Sequence, residues 1–327
     1  MAAATATATA TADTATTGSS KTSDSHVAPK TPSHPEEIDV PLFTLLTTYL
    51  SYAILIAMGH VRDFFGKRFR REAYAYLMES DGYAPIISDF ESLYTRRLYY
   101  RIRDCFNRPV TGVPGRTIKV LGRESDDYNI TFRMTGEDRE VLNLSSYNYL
   151  GFAQSHGACA DAVEAALDRY GPAGASTRLD SGTLDLHAEA EELVARFLDQ
   201  EAATIVSMGF ATNSTIIPAL VSKGCLIVSD ELNHASIVTG VRLSGASIRV
   251  FKHNDPEDLE LVLRDAISQG QPRTHRPWKK ILIIIEGLYS MEGEFADLPT
   301  IIALKKKYKC YLFLDEAHSI GALEQIR

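Results

Sequence analysis

The sequence predicts an α/β protein built on a doubly wound, mostly parallel sheet, and three observations lead there. From Val141 onward, short β-branched runs alternate with segments of helical periodicity. Two of those runs, ILIII at 281–285 and YLFL at 311–314, are apolar throughout, as expected of strands covered on both faces by crossover helices. The residues just after successive runs are polar and specific, and in such sheets ligands sit beyond the carboxyl ends of the strands.

Taken from the N-terminus, residues 1–35 are Ala/Thr/Ser-rich without apolar periodicity, so a disordered tail is expected over 1–38. It holds no Arg and its first Lys is Lys21, unlike a transit peptide, and no charged start runs into an apolar stretch as in a signal peptide. Residues 42–59, LFTLLTTYLSYAILIAMG, carry no charge, which makes 40–60 a candidate transmembrane helix for a bilayer core of ~30 Å. Two mid-segment tyrosines and three threonines leave a re-entrant or interfacial helix open. Glu36, Glu37 and Asp39 precede the segment, whereas Arg62, Lys67, Arg68, Arg70 and Arg71 follow it, so the folded part is expected on the cytosolic side.

Residues 61–140 read as a connecting helix and a surface arm, with RPVTGVPG at 108–115 as an extended, turning entry to the main domain at 141–327. Within that domain, strands are expected at 203–207, 226–229, 247–251, 281–286 and 311–314. Helices are expected near 158–170, 185–199, 211–222, 234–243, 256–268 and 299–308.

Composition removes several classes of function. With 34 basic against 42 acidic residues and a net charge of −8, no global positive field draws the chain to nucleic acid. Cys105, Cys159, Cys225 and Cys310 lie far apart with no C-x-x-C pair, which fits neither a zinc site nor a disulfide framework, and they read as reduced, mostly buried thiols. No G-x-G-x-x-G follows the first strand and no P-loop occurs, which argues against a nucleotide-binding Rossmann protein. NAD-dependent quenching of Trp278 fluorescence would restore that reading.

The strand tails are MGF at 208–210, DELNHAS at 230–236, EGLYSMEGE at 286–294 and DEAHS at 315–319. Singly, each has a plain structural explanation: Asp315 could cap a helix, Ser290 could be a turn residue, and His234 or His318 could be hydrogen-bonded structural histidines. Converging on one rim, they could supply backbone amides for a phosphate, an imidazole to stack on an aromatic ring, and a carboxylate beside a second imidazole.

These segments resemble the α-oxoamine synthase group of fold-type-I PLP enzymes. The resemblance rests on NYLG at 148–151, GPAGASTR at 171–178, SGTLDLHAEAEELVARF at 181–197, SDELNHASIVTG at 229–240, EGLYSMEGEFADLP at 286–299 and LDEAHSIGA at 314–322. Within the group, GVPGRTIKVLGRES, LNLSSYNYLGFA and the preceding apolar segment are similar to the catalytic long-chain-base subunits of the serine palmitoyltransferase family.

The resemblance implies the large domain of a fold-type-I PLP-dependent transferase, with Asp315 at the pyridine nitrogen, His234 stacked on the ring and His318 at its phenolic oxygen. It puts Gly209 and Phe210 at the phosphate, with Ser290 also at the cofactor, and Asn148 and Tyr149 toward the substrate. It further implies condensation of L-serine with palmitoyl-CoA, a heterodimer with a related subunit, and an endoplasmic reticulum membrane location. A resident metal is not implied.

Family members hold PLP through a lysine in a T-K stretch downstream of DEAHS, and none of Lys279, Lys280, Lys305, Lys306, Lys307 or Lys309 matches it. The expectation is an incomplete large domain whose chain alone forms no covalent link to the cofactor. The competing reading is a non-catalytic partner subunit of the same complex; the retained His234, Asp315 and His318 favour the catalytic lineage.

Overall fold

The computed structural model describes residues 5–7 and 40–322, and the chain divides into two units, 17–160 and 161–327 together with 1–16. Thr5–Thr7 form a short strand, β1; the rest of the tail expected over 1–38 lies outside the described residues.

In the 17–160 unit, α1 runs over Leu42–Phe69, ten residues past the uncharged segment. Its 28 residues extend ~42 Å at 1.5 Å per residue, enough to cross a bilayer core. Among the described residues it is the one helix long and apolar enough to do so. Leu42, Phe43, Leu46, Leu50 and Ile54 are exposed, and an apolar surface on a helix this long suits lipid rather than water. Three of the hydroxyls that lower its hydropathy are satisfied internally: Thr47 donates to the Phe43 carbonyl at 2.8 Å, Thr48 to Thr44 at 2.7 Å and Ser51 to Thr47 at 2.7 Å.

After α1 come a 3-10 segment at Arg71–Leu77, α2 (Asp89–Tyr94), a π turn at Thr95–Tyr99 and α3 (Tyr100–Phe106). Asp63 is buried in α1 and ties this assembly together. It accepts from Arg96 Nη2 at 2.6 Å, from Arg97 Nε at 2.7 Å and from the Tyr74 hydroxyl at 3.3 Å.

The stretch expected to be a surface arm instead contains an antiparallel sheet of β2 (Val110–Thr111), β3 (Thr117–Glu124) and β4 (Arg133–Leu142). Thr117 faces Leu142, and the register shifts between Leu121 and Arg123. Most of these side chains are exposed or half-buried, so no apolar run marked the strands; their pairing is local, between consecutive strands.

The α/β unit holds α4 (Ala158–Tyr170), which starts in the preceding unit, α5 (Asp185–Phe197), α6 (Gly209–Leu220), β5 (Leu226–Asp230), α7 (Ala235–Ser244) and β6 (Ser247–Phe251). It continues with α8 (Pro256–Gln269), β7 (Ile281–Glu286), a hairpin of β8 (Leu288–Tyr289) and β9 (Glu294–Phe295), α9 (Leu298–Tyr308) and β10 (Tyr311–Asp315). The main sheet has the order β1-β10-β7-β5-β6, with β10, β7, β5 and β6 parallel and β1 antiparallel at the edge.

Both faces are covered, as the unbroken apolar runs require. Leu226, Val228, Ile283 and Ile285 pack with Leu259 and Leu263 of α8 and Ile301 of α9. On the other face, Ile227, Leu282, Ile284 and Phe313 pack with Ile217 of α6 and with Ile237 and Val241 of α7. Each fully buried aliphatic side chain contributes about 1.5–3 kcal/mol. Local signals set the helix starts: Asp255 accepts from the N–H groups of Glu257 and Asp258 ahead of Pro256, and Asp297 accepts from that of Thr300.

One expected strand is absent. Residues 203–207 form no strand and lie outside the ladder, because side chains take the Ile205 backbone groups: its N–H donates to Glu191 Oε1 at 2.9 Å and its carbonyl accepts from Arg178 Nη1 at 3.1 Å. Of the cysteines, Cys225 and Cys310 are buried, whereas Cys105 and Cys159 are exposed. Burial pushes the Cys310 thiol up to about 11.

Gly240 lets α6 and α7 meet. A Cβ there would lie 2.4 Å from the Asn213 carbonyl oxygen, so Gly240→Ala must separate the helices and displace Asn213. An overpacking cost of about 1–3 kcal/mol is expected, to be measured as a lowered midpoint of chemical unfolding.

Candidate active site

Three acids end three adjacent parallel strands: Asp230 on β5, Glu286 on β7 and Asp315 on β10, with Asp315 and Glu286 directly opposite in register. All three are buried, at 3%, 6% and 9% exposure. Carboxylates so placed must find donors or take up protons.

Asp315 finds donors. Its Oδ2 accepts from Asn213 Nδ2 at 2.7 Å and its Oδ1 from the Ala317 N–H at 2.9 Å. Asn213 also donates to Ser236 Oγ at 3.0 Å, and Ser236 Oγ lies 2.7 Å from His234 Nδ1. The Ser236 N–H points at the same Nδ1 from 3.2 Å, so Nδ1 acts as acceptor and the neutral ring carries its proton on Nε2. His234, the N-cap of α7, is fixed from its backbone too, where its N–H donates to Glu286 Oε1 at 2.5 Å. A continuous path of hydrogen bonds therefore runs from Asp315 through Asn213, Ser236 and His234 to Glu286.

Glu286 has few donors for its depth. Burial pushes its carboxyl up to about 7, Asp315 and Asp230 add to the rise, and the His234 N–H opposes it. Asp230 is better served, by the N–H groups of Leu232 and Asn254 and by His253 Nδ1, each at 2.9 Å. The His253 ring stands edge-on to Tyr289 at 4.4 Å. Tyr289 is buried and its phenol is pushed upward by that burial; its hydroxyl accepts from the Glu286 N–H at 3.2 Å.

Helix α6 opens on Gly209, and its N-cap, Met208, offers no side-chain acceptor. The first amides of the helix, on Gly209 and Phe210, have no intrahelical acceptor, and an uncapped N-terminus of this kind suits an anion. His318 is half-buried in the turn after β10. Ser290 is exposed in the turn between β8 and β9 and takes no part in the hydrogen-bonded path.

Asn148 and Tyr149 belong to the 17–160 unit. There Asn148 is locked within its own loop, donating to the Pro114 carbonyl at 2.8 Å and accepting from the Ala153 N–H at 2.9 Å. Partial burial raises the Tyr149 phenol. Among the described residues no group of three or more His, Cys, Asp or Glu side chains is arranged to hold a metal.

Sequence reasoning missed Asn213, Ser236, Glu286 and Asp230 as site residues. A signal existed for the acids, since each ends an apolar run. Asn213 offered one as well, as a polar residue four positions past Gly209 in the apolar stretch GFATNSTIIPAL.

Residues 139–327 match the family model described as aminotransferase class I and II. Serine palmitoyltransferase 2 of Schizosaccharomyces pombe is 59% identical over 281 residues, 86% of this chain and 47% of that protein. Serine palmitoyltransferase 3 of Homo sapiens is 54% identical over 288 residues, 87% of this chain and 52% of that one. The chain thus spans about half the length of these curated relatives.

Among solved structures, the Sphingomonas wittichii serine palmitoyltransferase superposes with a TM-score of 0.58 at 27% identity, covering 73% of this chain and 54% of that one. A variant of the S. paucimobilis serine palmitoyltransferase with a bound PLP-myriocin aldimine gives 0.56 at 27% identity, covering 72% and 54%. The parallel sheet flanked by helices is the fold-type-I PLP-transferase architecture of these neighbours. With the family model matched over more than half its length and the strand-end carboxylates in place, the chain belongs to the class I and II aminotransferase family.

Proposed function

We propose that this chain carries the cofactor-binding part of a serine C-palmitoyltransferase-type subunit, which condenses L-serine with palmitoyl-CoA to 3-oxosphinganine with release of carbon dioxide and CoA. The observation that carries the reading is Asp315, a buried carboxylate at the carboxyl end of β10, aimed by Asn213 and the Ala317 N–H in the same unit as the uncapped start of α6. That donor set fits pyridoxal phosphate, whose ends are a phosphate and a basic ring nitrogen. When bound, PLP supplies an electron sink for the pair left at the α-carbon of the amino acid.

The chain's own residues then have defined tasks. Asp315 would hold a proton at the pyridine nitrogen, and the N–H groups of Gly209 and Phe210 would bind the phosphate. His234, pinned at Nδ1 and at its backbone N–H while its ring stays exposed, would cover one ring face. His318 would donate to the phenolic oxygen, Ser290 would contact the cofactor from the hairpin turn, and Asn148 and Tyr149 would meet the substrate. The reading gives no covalent link to Lys279 and Lys280, which precede β7, or to Lys305, Lys306, Lys307 and Lys309, which precede β10, all at the sheet end opposite Asp315.

The same reading makes α1 a membrane anchor in the endoplasmic reticulum with the folded part in the cytosol, as the basic residues after it favour. It also pairs the chain with a related long-chain-base subunit, and a pocket close to a membrane suits a long acyl-CoA and a lipid product.

The test is formation of 3-oxosphinganine from L-serine and palmitoyl-CoA by the full-length protein co-expressed with its partner subunit. Product that disappears with Asp315→Ala supports the assignment, and product unaffected by that change removes Asp315 from it. For the lysines, borohydride treatment of the chain with PLP should leave no stoichiometric adduct; one at a single lysine would refute that part.

A further inference from the structure

Beyond the cofactor site, the structure assigns to the 17–160 unit a binding site for the phosphate headgroup of an anionic phospholipid, in the cavity beside the last turns of α1. The inference rests on the reading of α1 as a membrane helix. The cavity measures about 680 Å³, and its lining includes Arg62, Arg70, Arg96, Arg97, Phe69 and Tyr74. Among the described side chains that line it, none is acidic.

Of the five arginines that line it, Arg103 lies over the Phe132 ring, and the other four divide into two pairs. Arg96 and Arg97 are nearly buried and neutralise Asp63, which fixes the inner wall. Tyr74 joins them, accepting from Arg97 Nη2 at 2.5 Å. Arg62 and Arg70, on the last turns of α1 and just past its end, are exposed. Neither side chain makes a hydrogen bond or ion pair among the described residues. Two guanidinium groups with unspent donors, held at one opening, suit the geometry of a phosphate.

Position selects the source of that phosphate. The uncharged part of α1 ends at Gly59, ~27 Å along the helix from Leu42, so Arg62 lies one turn beyond the hydrocarbon core at the level of the headgroups. Exposed Phe65 and Phe69 flank the same opening, and apolar rings beside basic residues suit the headgroup/acyl boundary rather than water. A free phosphate would use the guanidinium groups and leave the aromatic wall idle, whereas a lipid would use both.

The experiment uses the whole chain in neutral detergent, titrated by calorimetry with dioctanoyl phosphatidylserine, dioctanoyl phosphatidylcholine and inorganic phosphate. Saturable binding of phosphatidylserine is expected, with about tenfold or greater weakening in the Arg62→Gln, Arg70→Gln double variant. Because both side chains are exposed and unpaired, that variant should keep the wild-type unfolding midpoint. Equal binding of the two lipids, or equal binding by the double variant, overturns the site. Inorganic phosphate binding as tightly as phosphatidylserine overturns the lipid as its occupant.

Flotation of the chain with phosphatidylcholine vesicles after an alkaline wash separates this from the membrane reading. Release from the vesicles with phosphatidylserine selectivity retained would sink the membrane helix and leave the headgroup site standing. Retention without selectivity would sink the site alone.

Discussion

Asp315→Asn is expected to lower kcat/KM of the full-length protein, paired with its partner subunit, by about a thousandfold, roughly 4 kcal/mol of transition-state stabilisation. The substitution keeps the shape and removes the charge. An amide could still accept from Asn213 through its oxygen, but its NH2 would then face the Ala317 N–H, which now donates to Oδ1 at 2.9 Å, donor against donor. Turning the amide over relieves that clash and sets the NH2 against Asn213 Nδ2 instead. In neither orientation does the side chain hold a proton at a ring nitrogen.

Asn213→Leu separates aiming from chemistry. It leaves the carboxylate in place but removes its donor at 2.7 Å and the link to Ser236. The expected loss is smaller, about ten- to a hundredfold, accompanied by weaker PLP binding measured by fluorescence titration. If Asp315→Asn kept turnover within tenfold of wild type, the role given to the carboxylate would be wrong.

How far the sequence foretold this site depends on how local each signal is. The sheet was readable because ILIII is buried on both faces and YLFL partly so, and burial on both faces leaves its mark in the run itself. The residues after the runs were readable for the same reason, since a parallel sheet carries its chemistry at one end. The run ATIVS at 203–207 is also β-branched, yet the backbone partners of Ile205 are the side chains of Glu191 and Arg178, a choice made by tertiary placement that no window around 203–207 contains. The β2-β3-β4 sheet escaped because its faces are largely exposed and its apolar alternation is confined to Ile118 and Val120 of β3. Asn213 reaches Asp315 across 102 positions, a pairing that becomes visible only when α6 lies over β10.

Glu286 should make the stability of the α/β unit fall as pH rises through the weakly acid range. Its carboxyl stands at about 7 in the folded chain against 4.5 for an ordinary glutamate, chiefly because burial penalises the charged form. Between those two values the folded state keeps a proton that the unfolded state has given up. Raising the pH therefore favours unfolding across that window, with no further loss once the folded group has also ionised. A shift of this size corresponds to about 3 kcal/mol.

Glu286→Gln isolates the contribution. The amide oxygen can still accept from the His234 N–H, now received at 2.5 Å by Oε1, while no charge can form opposite Asp315. The variant should match wild type near pH 4.5 and exceed it by up to about 3 kcal/mol at pH 8, measured by chemical unfolding across that range. A difference that did not change with pH, or a variant less stable at pH 8, would mean that the carboxyl finds compensation when it ionises. The native acid would then be charged at neutral pH, beside the neighbouring strand-end carboxyls of Asp230 and Asp315.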